Sequence, residues 1–243
     1  MSKLYVVGIG PGNYENMTLR AAQVLRDSDV IVGYTVYVEL IRDHFPEKEF
    51  FTTAMRQEVE RVEAALAMAA EGKTVAIVCS GDGGVYGMSG LAEELAGKYP
   101  GVEVETVPGI SAMLSGAAIL GAPLMHDFAV ISLSDLLTPW EKIEKRLRLA
   151  AEADFVICIY NPSSRKRKDY LQRACDIILE SASPDTVCGI AKNIGREGES
   201  TLIMSLSELR EAETDMFSTV FIGNSQTKVI NGKIVTPRGY HHE

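Results

Sequence analysis

The chain has 243 residues, 46% apolar and 23% charged, enough for one large or two modest cores without disulfide or metal staples. Its formal net charge of −9 argues against a general nucleic-acid binder, since that affinity comes mainly from Lys and Arg neutralising phosphates, so a polyanionic substrate needs a local basic patch. Cys79, Cys158, Cys175 and Cys188 form no C-x-x-C pair, which is simplest in a reducing cytoplasm.

The chain passes from Met1-Ser2-Lys3 straight into the apolar Leu4–Val7, without the features of a secretory signal. The longest apolar-looking stretch, Ile110–Met125, is interrupted by Ser111, Ser115, Gly116, Gly121 and Pro123, too broken for a membrane span, so a soluble protein is expected. Short β-branched runs then alternate with helical patterns. Strand Leu4–Val7 precedes helix Leu19–Arg26, strand Val30–Val32 precedes helix Val36–Phe45, and helix Glu58–Glu71 is followed by strand Val75–Cys79, helix Gly90–Tyr99 and strand Val102–Val107. This alternation predicts an α/β fold with a mostly parallel sheet. In Glu58–Glu71, Val59, Val62, Leu66 and Ala69/Ala70 recur at three to four residues, an inward apolar stripe with a charged outer face.

A helix of small residues follows Gly109 and stops near Gly121, where Gly-Ala-Pro123 is a termination signal. The pattern restarts with strand Phe128–Leu133, helix Pro139–Glu152, strand Phe155–Tyr160, helix Tyr170–Ser181, and strands Val187–Lys192, Glu199–Met204 and Val220–Ile222. The organisation expected is two α/β domains, residues 1–118 and 119–243, with ligands at the carboxyl ends of strands and in the cleft between the domains.

Three glycine-rich turns follow three strands. Val7-Gly8-Ile9-Gly10-Pro11-Gly12 lets the backbone turn sharply and approach a ligand. It departs from the dinucleotide fingerprint of a nucleotide-dependent dehydrogenase: Gly12 comes one place early, no carboxylate matches the ribose signal, and the helix begins only near Thr18. Ser80-Gly81-Asp82-Gly83-Gly84-Val85-Tyr86-Gly87 surrounds one acceptor side chain with exposed backbone, and Asp82 reads either as a ligand contact or as a turn or cap residue. Val107-Pro108-Gly109-Ile110-Ser111-Ala112 places Ser111 at a helix start, where it caps the backbone or faces a ligand. The basic patch is Arg165-Lys166-Arg167-Lys168, with Lys192 and Arg196 further on, and most of the first four read as a solvated helix start.

Taken in order, the G-x-G-P-G opening, the glycine-aspartate loop and P-G-x-S-A resemble the tetrapyrrole methylases, which methylate ring carbons of corrin and sirohaem precursors. The likeness continues through Ser132-Leu133-Ser134-Asp135, Tyr160-Asn161-Pro162 and Gly189-Ile190-Ala191-Lys192-Asn193. Within the family it is greatest to the branch that methylates C17 of precorrin-3B or its cobalt analogue with ring contraction in cobalamin biosynthesis, judged from residues 134–140, 160–165 and 236–240. Gly83 stands where many relatives have proline.

The resemblance implies two α/β domains, S-adenosylmethionine as cofactor and S-adenosylhomocysteine as product, a tetrapyrrole substrate and a homodimer. The residues themselves, with no histidine–cysteine cluster at metal spacing, an acidic net charge, no unbroken apolar span and scattered cysteines, add the expectations of no metal, no nucleic-acid or membrane partner and a cytoplasmic location. By the same resemblance Gly81, Asp82, Gly83, Val85, Tyr86, Ser111, Ala112, Asn161, Ala191 and Lys192 bind the cofactor. Gly10, Pro11, Gly12, Arg165 and Lys192, with Arg56 or Arg196, serve a substrate rich in carboxylates, which suit the bidentate fork of arginine. The acid and base for ring contraction are not identified; Asp135, Ser134, Tyr34 and Pro11 are candidates by position, although Asp135 also suits a turn cap and Tyr34 a packed aromatic. Alternatives are methylation by the same fold at another tetrapyrrole carbon or on the carboxylate of a modified histidine on a protein, the dehydrogenase, and a non-catalytic tetrapyrrole binder.

Overall fold

The structure, a computed structural model, describes residues 2–164 and 166–240. Along the chain it divides into two compact units, the first ending at Ala112 and the second beginning at Met113. That is a few residues before the division expected at 118/119, because the small-residue helix packs with the second unit.

Unit 1 contains β1 (Ser2–Gly8), α1 (Leu19–Asp27), β2 (Val30–Tyr34), α2 (Thr35–Glu39), β3 (Glu49–Thr53), α3 (Glu58–Ala70), β4 (Val75–Cys79), α4 (Ser89–Ala96) and β5 (Val102–Val107). Its sheet has the order β3-β2-β4-β1-β5 and is parallel throughout. Alternate strand residues face opposite layers. Val7, Ile31, Ala76 and Val78 pack with Ala21, Val24 and Leu25 of α1, while Leu4, Val6, Val32 and Ile77 pack with Val62, Ala65 and Leu66 of α3. Both faces being covered explains why β4 reads as an uninterrupted apolar run. Thr18 caps α1, its hydroxyl accepting from the Ala21 N–H at 3.1 Å.

Two expectations change here. The helix expected over Val36–Phe45 stops at Glu39, followed by a 3₁₀ turn at Arg42–His44. β-Branched Val36 and Val38 give it little propensity, and burying Phe45 ahead of Pro46 pulls the chain inward. Strand β3, unpredicted, is a largely exposed edge strand paired only with β2, so it lacks the alternation that marks a half-buried strand.

Unit 2 holds α5 (Ala112–Leu120), β6 (Gly121–Ala122), β7 (Phe128–Ser132), α6 (Trp140–Glu152), β8 (Val156–Tyr160), α7 (Tyr170–Ile178), β9 (Val187–Lys192), β10 (Ser200–Ser205), α8 (Leu206–Leu209), β11 (Ser218–Ile222), β12 (Lys228–Ile230) and β13 (Lys233–Val235). Its main sheet, β10-β9-β11-β8-β7, is mixed: β7 and β8 are parallel, while β11 runs antiparallel between β8 and β9, and β10 antiparallel beside β9. The mostly parallel expectation therefore holds only for unit 1. One face of this sheet buries Ile157, Ile159, Ile190 and Val220 against Ile143 and Leu147 of α6 and Leu171 and Cys175 of α7. The other receives α5, where a Cβ at Gly116 would stand 2.9 Å from the Phe221 ring, so only glycine permits the approach. A hairpin of β12 and β13 joins β6 in a three-stranded sheet.

Candidate functional site

In unit 1 the carboxyl ends of β4, β1 and β5 lie side by side, so the three glycine-rich turns share one end of the sheet. Gly10 and Gly81 form a bridge, Gly10 N–H to Gly81 O at 3.1 Å and Gly81 N–H to Gly10 O at 2.7 Å. The backbones of the turns touch: a Cβ at Gly109 would fall 2.2 Å from Gly81 O and 2.6 Å from Gly8 O. Gly81 has φ +70 and faces Ser111 and Ala112, whose Cα and N would lie 3.5 and 3.4 Å from a Cβ there.

Asp82 closes the cluster. Its Oδ1 accepts from Gly84 N–H at 2.8 Å and its Oδ2 from Gly109 N–H at 2.9 Å, linking the turns after β4 and β5. The carboxylate therefore has a backbone-tying role, whatever else it touches. Gly10 and Pro11 are buried while Gly12 is half-buried. Gly83 is buried, and a Cβ there would approach Ser89 Oγ to 2.8 Å, a hydroxyl that is itself buried without a partner. Beside this cluster Gly84 and Tyr86 are exposed, Val85 is half-buried, and Tyr86 has φ +53, a strained value for a bulky residue of the kind that clusters at ligand-binding loops. Ser111 is buried and Ala112 half-buried. Tyr34 ends β2 and packs edge-on against Tyr37, with ring centroids 5.2 Å apart.

The inward stripe of α3 departs from expectation. Val59 is 51% exposed, whereas Arg61 is 2% exposed and reaches the carboxyl end of β3. Its Nε donates to Thr53 Oγ1 at 2.8 Å, Nη2 to Ala54 O at 2.9 Å and Nη1 to Met88 Sδ at 3.4 Å. Burial holds its pKa below the usual value. No periodicity argument finds an arginine that turns inward beside Val62. Arg56, by contrast, is exposed, with φ +70.

In unit 2, β7, β8 and β9 point the same way, and their carboxyl ends carry Ser132, Asn161 and Lys192 with the loops that follow. Asn161 has φ +53, and its Nδ2 donates to Ser132 Oγ at 2.9 Å. Lys192 pairs with Asp215 at 2.8 Å. Burial works to raise the Asp215 carboxyl, but Lys192, the Phe217 N–H and the Ser218 hydroxyl together hold it below the ordinary range. Ala191 is fully buried mid-sheet, paired with Thr201 and Thr219, which leaves no side-chain surface for a ligand. Arg196 lies over the Phe217 ring.

Ser134 and Asp135 join residues that sequence reasoning missed. Arg167 Nη1 donates to Ser134 Oγ at 2.8 Å and to Asp135 Oδ1 at 3.2 Å, and the Tyr170 hydroxyl donates to Asp135 Oδ2 at 2.6 Å. The Tyr170 hydrogen bond, followed by the residue's own backbone N–H and the Arg167 charge, holds the Asp135 carboxyl below the usual carboxylate range despite some desolvation. Arg167 is thus no solvated residue of a helix start; its side chain is 18% exposed. A run of four basic residues gives no signal of which one turns inward. Arg165, expected to bind substrate, lies outside the described residues.

Among the described residues no group of three or more His, Cys, Asp or Glu is placed to hold a metal ion, and no helix is long and apolar enough to cross a membrane. The profile of the family Tetrapyrrole (Corrin/Porphyrin) Methylases matches residues 3–210. A Salmonella typhimurium protein named "Probable cobalt-factor III C(17)-methyltransferase" is 47% identical over 98% of this chain and 99% of its own length. The "Cobalt-factor III methyltransferase" of Priestia megaterium is 46% identical over 99% of this chain, which spans only 46% of that longer protein. The crystal structure of "the methyltransferase CobJ" superposes with a TM-score of 0.89 at 36% identity, covering 98% of this chain and 100% of that one.

Proposed function

The chain belongs to the tetrapyrrole (corrin/porphyrin) methylase family, and from that premise we propose that it transfers the methyl group of S-adenosylmethionine to C17 of a precorrin-3B or cobalt-factor III type macrocycle, with ring contraction, in cobalamin biosynthesis. One observation carries the reading: 47% identity across 98% of this chain and 99% of a relative named as a probable cobalt-factor III C(17)-methyltransferase.

The glycine cluster fits such a cofactor. Its backbones meet so closely that a Cβ at Gly109 would collide with Gly81 O, and an exposed glycine, Gly84, and an exposed, strained tyrosine, Tyr86, stand beside it. S-adenosylmethionine supplies, when bound, an electrophilic methyl on sulfonium. Gly81, Val85, Tyr86, Ser111 and Ala112 hold it, mainly through backbone groups, while Asp82 keeps the turns in register and orients it indirectly. Fixing reactants in near-attack geometry supplies much of the rate, so no covalent nucleophile is needed. Asn161 and Lys192 contribute polar and cationic groups for the cofactor and for the acidic arms of the substrate, with Gly12 and Arg165 also assigned to the substrate.

We also infer a homodimer, supported by the family resemblance, in the cytoplasm, supported by four buried free thiols; sedimentation at micromolar concentration tests the dimer. The function is tested by incubating the protein with S-adenosylmethionine and cobalt-factor III and analysing the product by mass spectrometry and NMR. One added methyl at C17 with a contracted ring is expected. Methylation at another carbon would overturn the C17 assignment, and no S-adenosylhomocysteine formed with any corrinoid precursor would overturn the activity.

A further inference from the structure

Arg167 carries an inference about how this site addresses its substrate. A guanidinium has N–H donors and no acceptor, so every bond it makes has a fixed direction. Arg167 Nε donates to Ser164 Oγ at 3.1 Å, and Nη1 donates to both Ser134 Oγ and Asp135 Oδ1. Ser134 is therefore held as an acceptor towards Arg167, and its own proton points elsewhere. That proton has no acceptor among the described residues, although Ser134 is half-buried.

Asp135 is in the opposite condition. Both its oxygens are occupied, Oδ1 by Arg167 and Oδ2 by Tyr170, and those donors keep it ionised. An ionised carboxylate facing two donors has no proton to give. It holds the loop instead, and the next two residues are displayed to solvent: Leu136 is 62% exposed and Leu137 98% exposed. A hydroxyl donor beside a displayed apolar pair is the combination that a flat, oxygen-edged macrocycle would bury.

We propose that Arg167 is a positioning residue that turns the Ser134 hydroxyl into a hydrogen-bond donor to an oxygen of the bound tetrapyrrole, with Asp135 as the anchor of the loop rather than the proton carrier of the reaction. The inference rests on the methyltransferase reading of the preceding subsection and adds to it the division of labour within this cluster. Lysine replaces the charge but not the planar fork that reaches Ser134, Asp135 and Ser164 together.

The test is a double-mutant cycle on the full chain with Ser134→Ala, Arg167→Met and the pair, reading kcat and KM with cobalt-factor III and the Kd of S-adenosylhomocysteine. Each single variant is expected to lower kcat/KM by on the order of tenfold, the loss of one hydrogen bond at the reacting complex. The double variant falls no further than the worse single one, because Arg167 acts through Ser134. Arg167→Lys recovers part of the loss and also replaces Arg167→Met should that variant not fold. Asp135→Asn leaves the limbs of the pH–rate profile in place. Multiplicative losses in the cycle, or a limb lost in Asp135→Asn, overturn the proposal. A wild-type protein that binds S-adenosylhomocysteine but never turns over overturns the functional reading instead. The same cycle read on tetrapyrrole Kd, from the shift of its absorbance band, then decides the role of Arg167.

Discussion

Replacing Asp82 by asparagine separates a tie between turns from a contact with the cofactor. The carboxylate accepts from Gly84 N–H at 2.8 Å and Gly109 N–H at 2.9 Å. An amide of the same shape keeps one acceptor and turns an NH2 towards the other donor. Gly84 is exposed, so water replaces most of what is lost there; Gly109 is half-buried against Gly8 and Gly81, so its N–H is the costly one to orphan. With hydrogen bonds to charged groups worth ~1.5–3 kcal/mol and an unsatisfied buried donor a further ~1–3, a net loss of about 2–3 kcal/mol follows. For a chain of this size that lowers the melting midpoint by roughly 5–10 °C. Scanning calorimetry measures it without ligand, and titration calorimetry measures S-adenosylhomocysteine affinity. A tie predicts a lowered unliganded midpoint together with weakened affinity, because fewer molecules hold the turns in binding-competent register. An unchanged unliganded midpoint with affinity lost would refute the argument, since only a direct contact behaves that way.

The other predictions concern single groups. Ser89→Ala removes a buried hydroxyl without a partner and is expected to raise stability by up to ~1 kcal/mol, read by urea unfolding; a loss of more than that would mean the hydroxyl is satisfied. Asp135 has a depressed pKa in the folded state, so the stability it contributes is present above the unfolded carboxylate value of about 3.9 and disappears as pH falls through the lower folded value. Tyr170→Phe keeps the ring against Trp140 but deletes the main cause of that depression, so the Asp135 titration, followed by carboxyl carbon NMR, moves to higher pH and acid unfolding begins earlier. Burial pushes the Cys79 thiol up to about 11 and Cys175 up to about 12, with Cys158 and Cys188 also raised by burial. All four are therefore expected to resist a disulfide thiol reagent at pH 8 in the native protein and to react on unfolding; rapid native labelling would contradict the packing.

Much of this protein is legible in one dimension because the governing signals are local. Fully buried parallel strands such as Val75–Cys79 read as apolar runs, Thr18 announces the start of α1, and three glycine-rich turns after three strands mark the ends where ligands gather. Those features establish an α/β fold and the family motifs without coordinates. Tertiary structure alone decided the rest. It placed β4, β1 and β5 side by side so that Asp82 bonds Gly109, 27 positions away; it turned Arg61 and Arg167 inward from helix and loop faces that composition assigns to solvent; and it made the second sheet mixed. The physical reason is shared. Burying a charged or polar side chain is acceptable only where distant backbone and side-chain groups supply its partners, and a linear sequence does not say which distant groups will meet.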